Sequence, residues 1–274
     1  MVKMRIDLLL VERGLVESRN LAQRLVMAGQ VRANGQLLLK PSAPVAEDAS
    51  LEIDWGPPFV SRGGEKLQAA LQAFSFDPAG LVCADVGAST GGFTDCLLQH
   101  GAARVYAIDV GEGILHWKLR QDPRVVVMEG CNARYVEQLP EGVSLVTIDA
   151  SFISLKILLP VVKGWFPPSL AAPSPDDRER GLGGEGTVIA LIKPQFEAGR
   201  SETSRGDGVI RDPLVHRQVL LDVLSFAQGQ GFGVRGMLRS PLLGPKGNAE
   251  FLVWLDYPAG SPGNFLEQID VLLP

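Results

Sequence analysis

Cysteine is scarce in this chain: Cys83, Cys96 and Cys131 are the only three in 274 residues, an odd number without metal-ligand spacing. That excludes a disulfide framework and a cysteine-built zinc site, and the three read as reduced core thiols of an intracellular protein. No run of about 18 apolar residues occurs, which excludes a membrane-spanning helix, and the first residues hold no apolar signal core. Positive charge is lacking overall, with a net −5, so nucleic-acid contact requires a local basic patch. The three histidines, His100, His116 and His216, fall in helical stretches and read as surface or packing residues rather than catalysts. Internal repeats are absent. What remains is ordinary globular composition, 46% hydrophobic and 21% charged, in a chain with room for one large and one small domain. A soluble, cytoplasmic protein is expected, with no membrane partner.

Residues 1–56 differ in pattern from the rest. "RIDLLLVERG" predicts a short helix ended by Gly14, and Ser18 is placed to cap a second helix ended by Gly29. Two short strands follow around an Asn34-Gly35 hairpin turn. "DWGPPF" marks a boundary, with 57–62 as linker. From there the pattern alternates strand and helix, which signals a parallel sheet wrapped by helices. Strands are expected near 82–86, 105–109, 125–129, 144–149 and 188–193, and helices near 65–74, 91–100, 154–163 and 213–229. Two late strands, near 232–239 and 250–257, have no helix between them and should pair antiparallel. Residues 166–187 are rich in Pro, Gly and charge and predict a flexible insertion; 261–274 is expected as a tail after a domain spanning 63–260.

Residues 1–40 carry seven basic side chains against three acidic, a local net charge of +4 inside an acidic protein. On a helical wheel Arg19, Asn20, Gln23 and Arg24 share one face of the second helix, while Leu21, Ala22, Leu25 and Val26 take the other. Guanidiniums suit phosphate, because Arg offers oxygen atoms a planar fork. A charged face on a small helix is also what mere solvation would give.

"VCADVGASTGGFTD" is an apolar strand ending at Asp85, a glycine-rich turn and a helix start. Gly87, Gly91 and Gly92 permit close approach of backbone to a ligand, and a helix start offers unpaired amides. About twenty residues on, Asp109 ends the next strand, placed to accept from a ribose diol. The G-x-x-x-G-G spacing disfavours a dinucleotide, and with it an oxidoreductase. "EGCNAR" ends the third strand, and by analogy with folds of this pattern Asn132 sits where they contact adenine. Tight strand-to-helix packing is the competing explanation for the glycines.

"VIALIKPQFE" reads as a buried strand stopped by Pro194, which puts Lys193 at the carboxyl end of a central strand, where open α/β sheets bind ligands. Asp149 ends the strand before it. If the last strand pairs antiparallel beside the Lys193 strand, its leading Glu250 returns to the same edge, and Lys66 of "SRGGEKL" could join them. Two carboxylates flanking a lysine make a proton-handling site. Strand-end caps and the solvated flank of an amphipathic helix are the plainer explanations.

Two resemblances extend this. "RIDLLLVERGLVESRNLAQRLVMAGQVRANGQ" resembles the S4-type RNA-binding domain in its Arg-x-Asp start, Ser-Arg pair and Gly-x-Val…Asn-Gly ending. It implies RNA contact through Arg5, Arg19, Asn20, Gln23, Arg24 and Arg32. The remainder resembles the FtsJ-like RNA ribose 2′-O-methyltransferases. The whole chain is similar to the TlyA (haemolysin A-like) ribosomal RNA cytidine 2′-O-methyltransferases in "SRGGEKL", "DVGASTGGFTD", "DASFISL", "KPQFE", "GDGVIRDPLVH" and "SPLLGPKGNAEF". The resemblance implies a Rossmann-like α/β methyltransferase sheet beside a small α+β S4-type domain. It also implies S-adenosyl-L-methionine held by Asp85, Gly87, Ser89, Thr90, Gly91, Gly92, Phe93, Asp109 and Asn132. The catalytic tetrad becomes Lys66, Asp149, Lys193 and Glu250, with no metal. The implied partner is ribosomal RNA or a ribosomal subunit, with cytidine of the large subunit as target and the small subunit as a second candidate. The 166–187 insertion is longer than the family pattern. A ribosome-assembly factor with an inactive methyltransferase domain is the alternative, and the intact tetrad argues against it. Direct membrane lysis, which the haemolysin name suggests, is disfavoured by the absent signal and spanning segments.

Overall fold

In the computed structural model the described residues are 3–167, 186–198, 208–259 and 264–273. They fall into two compact units that divide between Pro58 and Phe59. Phe59 and Val60, expected as linker, therefore belong to the larger unit. Phe59 is buried there, and its ring occupies the space where a side chain on Gly64 would stand.

The smaller unit runs β1 (Lys3–Arg5), α1 (Ile6–Glu12), α2 (Arg19–Met27), β2 (Val31–Ala33), β3 (Gln36–Leu38), β4 (Pro44–Ala46) and β5 (Leu51–Ile53). Ser18 caps α2, its hydroxyl accepting from the Leu21 amide at 3.3 Å. Asn34 and Gly35 both take positive φ, 48° and 76°, and turn β2 back on β3. Ala22, Leu25 and Val26 of α2 are buried, while Arg19, Asn20 and Arg24 are exposed, so the helix buries the face its spacing predicts. Strands β1, β4 and β5 were not expected, because three residues are too few for alternation to register.

The larger unit runs α3 (Gly63–Phe74), β6 (Val82–Val86), α4 (Gly92–Gln99), β7 (Arg104–Ile108), α5 (Trp117–Arg120), β8 (Val125–Met128), β9 (Leu145–Ile148), α6 (Leu155–Val162), β10 (Gly186–Ile192), α7 (Pro194–Glu197), α8 (Pro213–Gly229), β11 (Gly233–Arg239), β12 (Phe251–Tyr257) and α9 (Phe265–Leu272). The expected strands and the four expected helices of this unit are found with bounds shifted by no more than two residues. The seven strands form one sheet in the order β11-β12-β10-β9-β6-β7-β8. The chain from β6 to β10 is parallel, β12 runs antiparallel beside β10, and β11 closes the edge antiparallel to β12.

Side chains alternate across the sheet, as a period of two requires. Val146, Ile148, Val188 and Ala190 face α6 and α8, whereas Cys83, Val105, Leu145 and Ile189 face α3 and α4. Three short or late elements were missed. The supposed tail carries α9, because Phe265 and Ile269, one turn apart, are both buried against the sheet's helical layer. Helices α5 and α7 have four residues each and leave no periodic signal. His100 and His116 stand at helix ends, while His216 lies buried inside α8. Residues 168–185 of the expected insertion lie outside the described residues, and its last two positions open β10. No helix among the described residues is long and apolar enough to cross a membrane.

Beneath the carboxyl edge of the sheet, Asp85 is fully buried. It accepts from the Thr94 hydroxyl at 2.7 Å and from the Thr147 hydroxyl at 3.1 Å. Burial pushes its carboxyl up to about 7, against the pull of those two hydrogen bonds, and the nearby Asp149 charge adds to the rise. A raised acid favours folding below its unfolded pKa of about 3.9 and loses that contribution as pH climbs through about 7. The stability of Asp85→Asn relative to the parent should therefore grow from pH 4 to pH 8 in denaturant titrations. A difference that stays constant with pH would contradict a raised Asp85.

Candidate active site

The antiparallel β12 places Phe251 opposite Ile192 of β10, so Lys193 and Glu250 leave the same edge on neighbouring strands. Asp149 follows β9, the strand on the other side of β10. Lys66 comes from the first turn of α3. All four line one cavity of about 470 Å3. Two ion pairs organise them. Lys193 Nζ lies 2.6 Å from Asp149 Oδ1 and also donates to Ser151 Oγ at 3.0 Å. Lys66 Nζ lies 2.6 Å from Glu250 Oε2. The expected arrangement, two carboxylates flanking Lys193, is thus corrected to one lysine per carboxylate. Neutral pairs are what burial favours, since an unpaired charge in a dry site is costly. Glu250 Oε1 is buried, has no hydrogen-bond partner among the described residues and faces Gly244, where a Cβ would stand 2.0 Å from it.

A second cavity of about 590 Å3 adjoins the first, and the two share Gly87, Ser89, Asp149 and Ser151. Asp109 and Asn132 line it, with Ile108, Val110, Ile153 and Leu158 as apolar walls. Asp109 holds the glycine-rich turn in shape: its carboxylate accepts from Ser89 N at 2.8 Å and Gly111 N at 2.7 Å. A carboxylate has about four acceptor sites, so capacity remains for a ligand diol. Gly87, at φ +82°, brings the turn so near the end of the neighbouring strand β9 that a Cβ would lie 2.8 Å from the Asp149 carbonyl. Thr90, Gly92 and Phe93 line the first cavity. Asp85 and Gly91 line neither. Asp85 is held under the turn by Thr94 and Thr147, and Gly91 is required by packing, a Cβ there falling 2.1 Å from Leu119. A charged acceptor, a close-approach turn and an apolar slot suit an adenosine-bearing sulfonium cofactor.

In the smaller unit, Asn20, Arg24 and Arg32 are exposed. Arg32 donates to the Gly35 carbonyl at 3.3 Å. Arg5, Arg19 and Gln23 converge on the buried carboxylate of Asp7, at 2.9–3.0 Å. The geometry thus leaves half of the predicted RNA-contact set unpaired by this carboxylate and ties the other half together.

Residues that the sequence reading did not single out also shape the site. Ser151 completes the surroundings of Lys193. Phe152 is 91% exposed at φ +64°, a left-handed conformation rare for a bulky residue, and its ring lies 4.8 Å from that of Phe196. Glu197 accepts from Ser154 Oγ at 2.6 Å and from Leu155 N at 2.7 Å, joining the turn after Lys193 to the segment after Asp149. The letters were there, in "DASFISL" and "KPQFE", but no spacing rule distinguishes a stacked or bridging side chain from a loop residue.

Comparison with known proteins accords with this geometry. The model of the FtsJ-like methyltransferases matches residues 59–257, and that of the S4 domain matches residues 4–50. YqxC of Bacillus subtilis is 44% identical over 98% of this chain and 92% of its own length. The 16S/23S rRNA (cytidine-2′-O)-methyltransferase TlyA of Mycobacterium tuberculosis is 44% identical over 92% of this chain and 89% of its own. A solved chain from Streptococcus thermophilus, named as a hemolysin, is 40% identical with a TM-score of 0.68, covering 99% of this chain and 96% of that one. With a match that spans every residue lining the two cavities and relatives aligned along nearly the full length, the chain belongs to the FtsJ-like methyltransferases, in the S4-bearing TlyA group.

Proposed function

We propose that the protein transfers a methyl group from S-adenosylmethionine to a ribose 2′-hydroxyl of ribosomal RNA, on cytidine, in the cytoplasm where ribosomes assemble. The observation that carries this is the pairing of two lysine–carboxylate couples around one cavity that opens beside the nucleoside slot. Relatives named as rRNA cytidine 2′-O-methyltransferases support the substrate class.

When bound, S-adenosylmethionine supplies an electrophilic methyl on a sulfonium. Gly87, Ser89, Asp109 and Asn132 are the residues that would hold it. A ribose hydroxyl is a weak nucleophile at neutral pH, so the chain must align it and accept its proton. Lys193 is placed to do both: its Nζ, held 2.6 Å from Asp149 Oδ1, aligns the hydroxyl and, in the neutral form of the amine, takes the hydroxyl proton. Ser151 and the Asp149 carbonyl fix the direction of the amine, at 3.0 and 3.4 Å. Lys66 and Glu250 act on the sugar. The unpartnered Glu250 Oε1 accepts from a ribose hydroxyl, which also satisfies a buried acceptor that would otherwise be costly. Phe152 offers its exposed ring to the target base, whose removal from a helical stack costs a few kcal/mol.

Incubating the protein with S-adenosylmethionine and separately with each unmodified ribosomal subunit, then analysing nucleosides by mass spectrometry, tests the reading. A gain of 2′-O-methylcytidine is expected in at least one subunit. No methylated nucleoside in either, with cofactor bound, would overturn it. Lys193→Ala should lower turnover by at least ~10²-fold, the low end for general-base assistance, with cofactor affinity nearly unchanged in calorimetric titration. Near-normal turnover would remove Lys193 from its role. Phe152→Ala should cut kcat/KM for RNA by about tenfold or more, since base stacking is worth about 1–3 kcal/mol. Phe152→Trp should keep most of it. Equal loss in both variants would show that the ring does not stack.

A further inference from the structure

The smaller unit holds an acid where an anion-binding face would be expected to avoid one. Asp7, in the first turn of α1, is fully buried and receives four hydrogen bonds from three side chains. Arg5 grips it with two nitrogens, Nε on Oδ1 at 3.0 Å and a terminal nitrogen on Oδ2 at 2.9 Å. Arg19 Nε and Gln23 Nε2 reach the same Oδ2 at 3.0 and 2.9 Å. Burial alone would raise this carboxyl, and the hydrogen bonds from Arg5, Gln23 and Arg19 overturn that and hold it well below the usual carboxylate range. It therefore stays charged at any physiological pH. The two arginine side chains remain 43% and 51% exposed, so each is pinned at one edge and open at the other.

We propose that Asp7 is the positioning residue of the RNA-binding face, fixing Arg5 and Arg19 as a preset pair of guanidinium forks for RNA phosphates. The proposal rests on the RNA-binding reading of this unit. Long arginine side chains lose much rotamer freedom on binding, and a buried anion that orders them beforehand removes that loss from the binding step. Charge-assisted hydrogen bonds are strong enough to hold the geometry. The arrangement spends one positive charge of the cluster to gain direction, leaving two guanidiniums and one carboxylate, a net +1.

That trade gives a test with opposite signs. If the face works by net charge alone, Asp7→Asn makes it more positive and binding tightens. If Asp7 positions the forks, binding weakens in spite of the added charge. The experiment titrates the full-length protein with each unmodified ribosomal subunit in turn over a range of salt, for the parent, Asp7→Asn and Arg19→Lys. The expected result for Asp7→Asn is affinity lowered at least fivefold, with the slope of log K against log salt shallower by about one phosphate contact. Arg19→Lys keeps the charge and an exposed position, so folding is not at issue. A lysine nitrogen cannot both pair with Asp7 and reach a phosphate as a fork does, so a loss of similar size is expected. Binding equal to or tighter than the parent in folded Asp7→Asn, or in Arg19→Lys, overturns the positioning role while the RNA-binding reading stands. Absence of salt-dependent binding by the parent itself overturns both.

Discussion

The antiparallel seating of β12 against β10 fixes where the charged groups of the larger unit meet. With Ile192 opposite Phe251, the residue after one strand and the residue before the other emerge side by side, and these are Lys193 and Glu250. Strand side chains alternate, so a slip of one residue would turn Val253 and Leu255 out of one core layer and Leu252 and Trp254 out of the other. The register is thus held by apolar packing on both faces. The chemistry inherits its precision from that packing, not from the charged residues themselves.

Those charged residues are in fact a burden on the fold. Lys66, Lys193 and Glu250 are each at least nine-tenths buried. Desolvation of an ion in such a place is repaid only by a close partner, and the two pairs at 2.6 Å supply it. The couples are not equivalent. Glu250 and Lys66 are both deep, so removing either strands a charge, whereas Asp149 keeps 20% of its side chain in contact with solvent. The cavity therefore has a dry side, where Lys66 and Glu250 meet, and a side open to water, where Asp149 holds Lys193.

How much of this was legible in the sequence follows from length and periodicity. The parallel strands, the four long helices of the larger unit and the antiparallel late pair announce themselves through short apolar runs, helical periodicity and turn residues. From them the strand-end positions of Asp149, Lys193 and Glu250 could be read before any coordinates. Their pairing could not. Which lysine serves which carboxylate depends on side-chain direction across three strands and a helix, and no spacing encodes it. The same limit hides which members of one motif line the cavities: Gly87 and Ser89 do, whereas Asp85 is held by Thr94 and Gly91 packs against Leu119. Strands β1, β4 and β5 and helices α5 and α7, of three or four residues each, leave no periodic signal, and α9 lies hidden beyond a Pro-Gly stretch.

Two turns complete the site, and they are stitched together. Glu197 reaches from the end of α7 to the Ser154 hydroxyl and the Leu155 amide, and the Phe152 and Phe196 rings meet between the same two segments. Lys193 to Asp149 is a third tie. Three ties across two short turns leave little freedom for the backbone between them, which is how Phe152 can be kept at φ +64° with its ring in solvent. A left-handed phenylalanine costs of order 1–3 kcal/mol and persists only where its surroundings over-determine it. Burying that ring would be the cheaper solution for a fold without further purpose. Holding it out, against Phe196 in the turn that follows Lys193, is what the proposed stacking of a nucleobase would use.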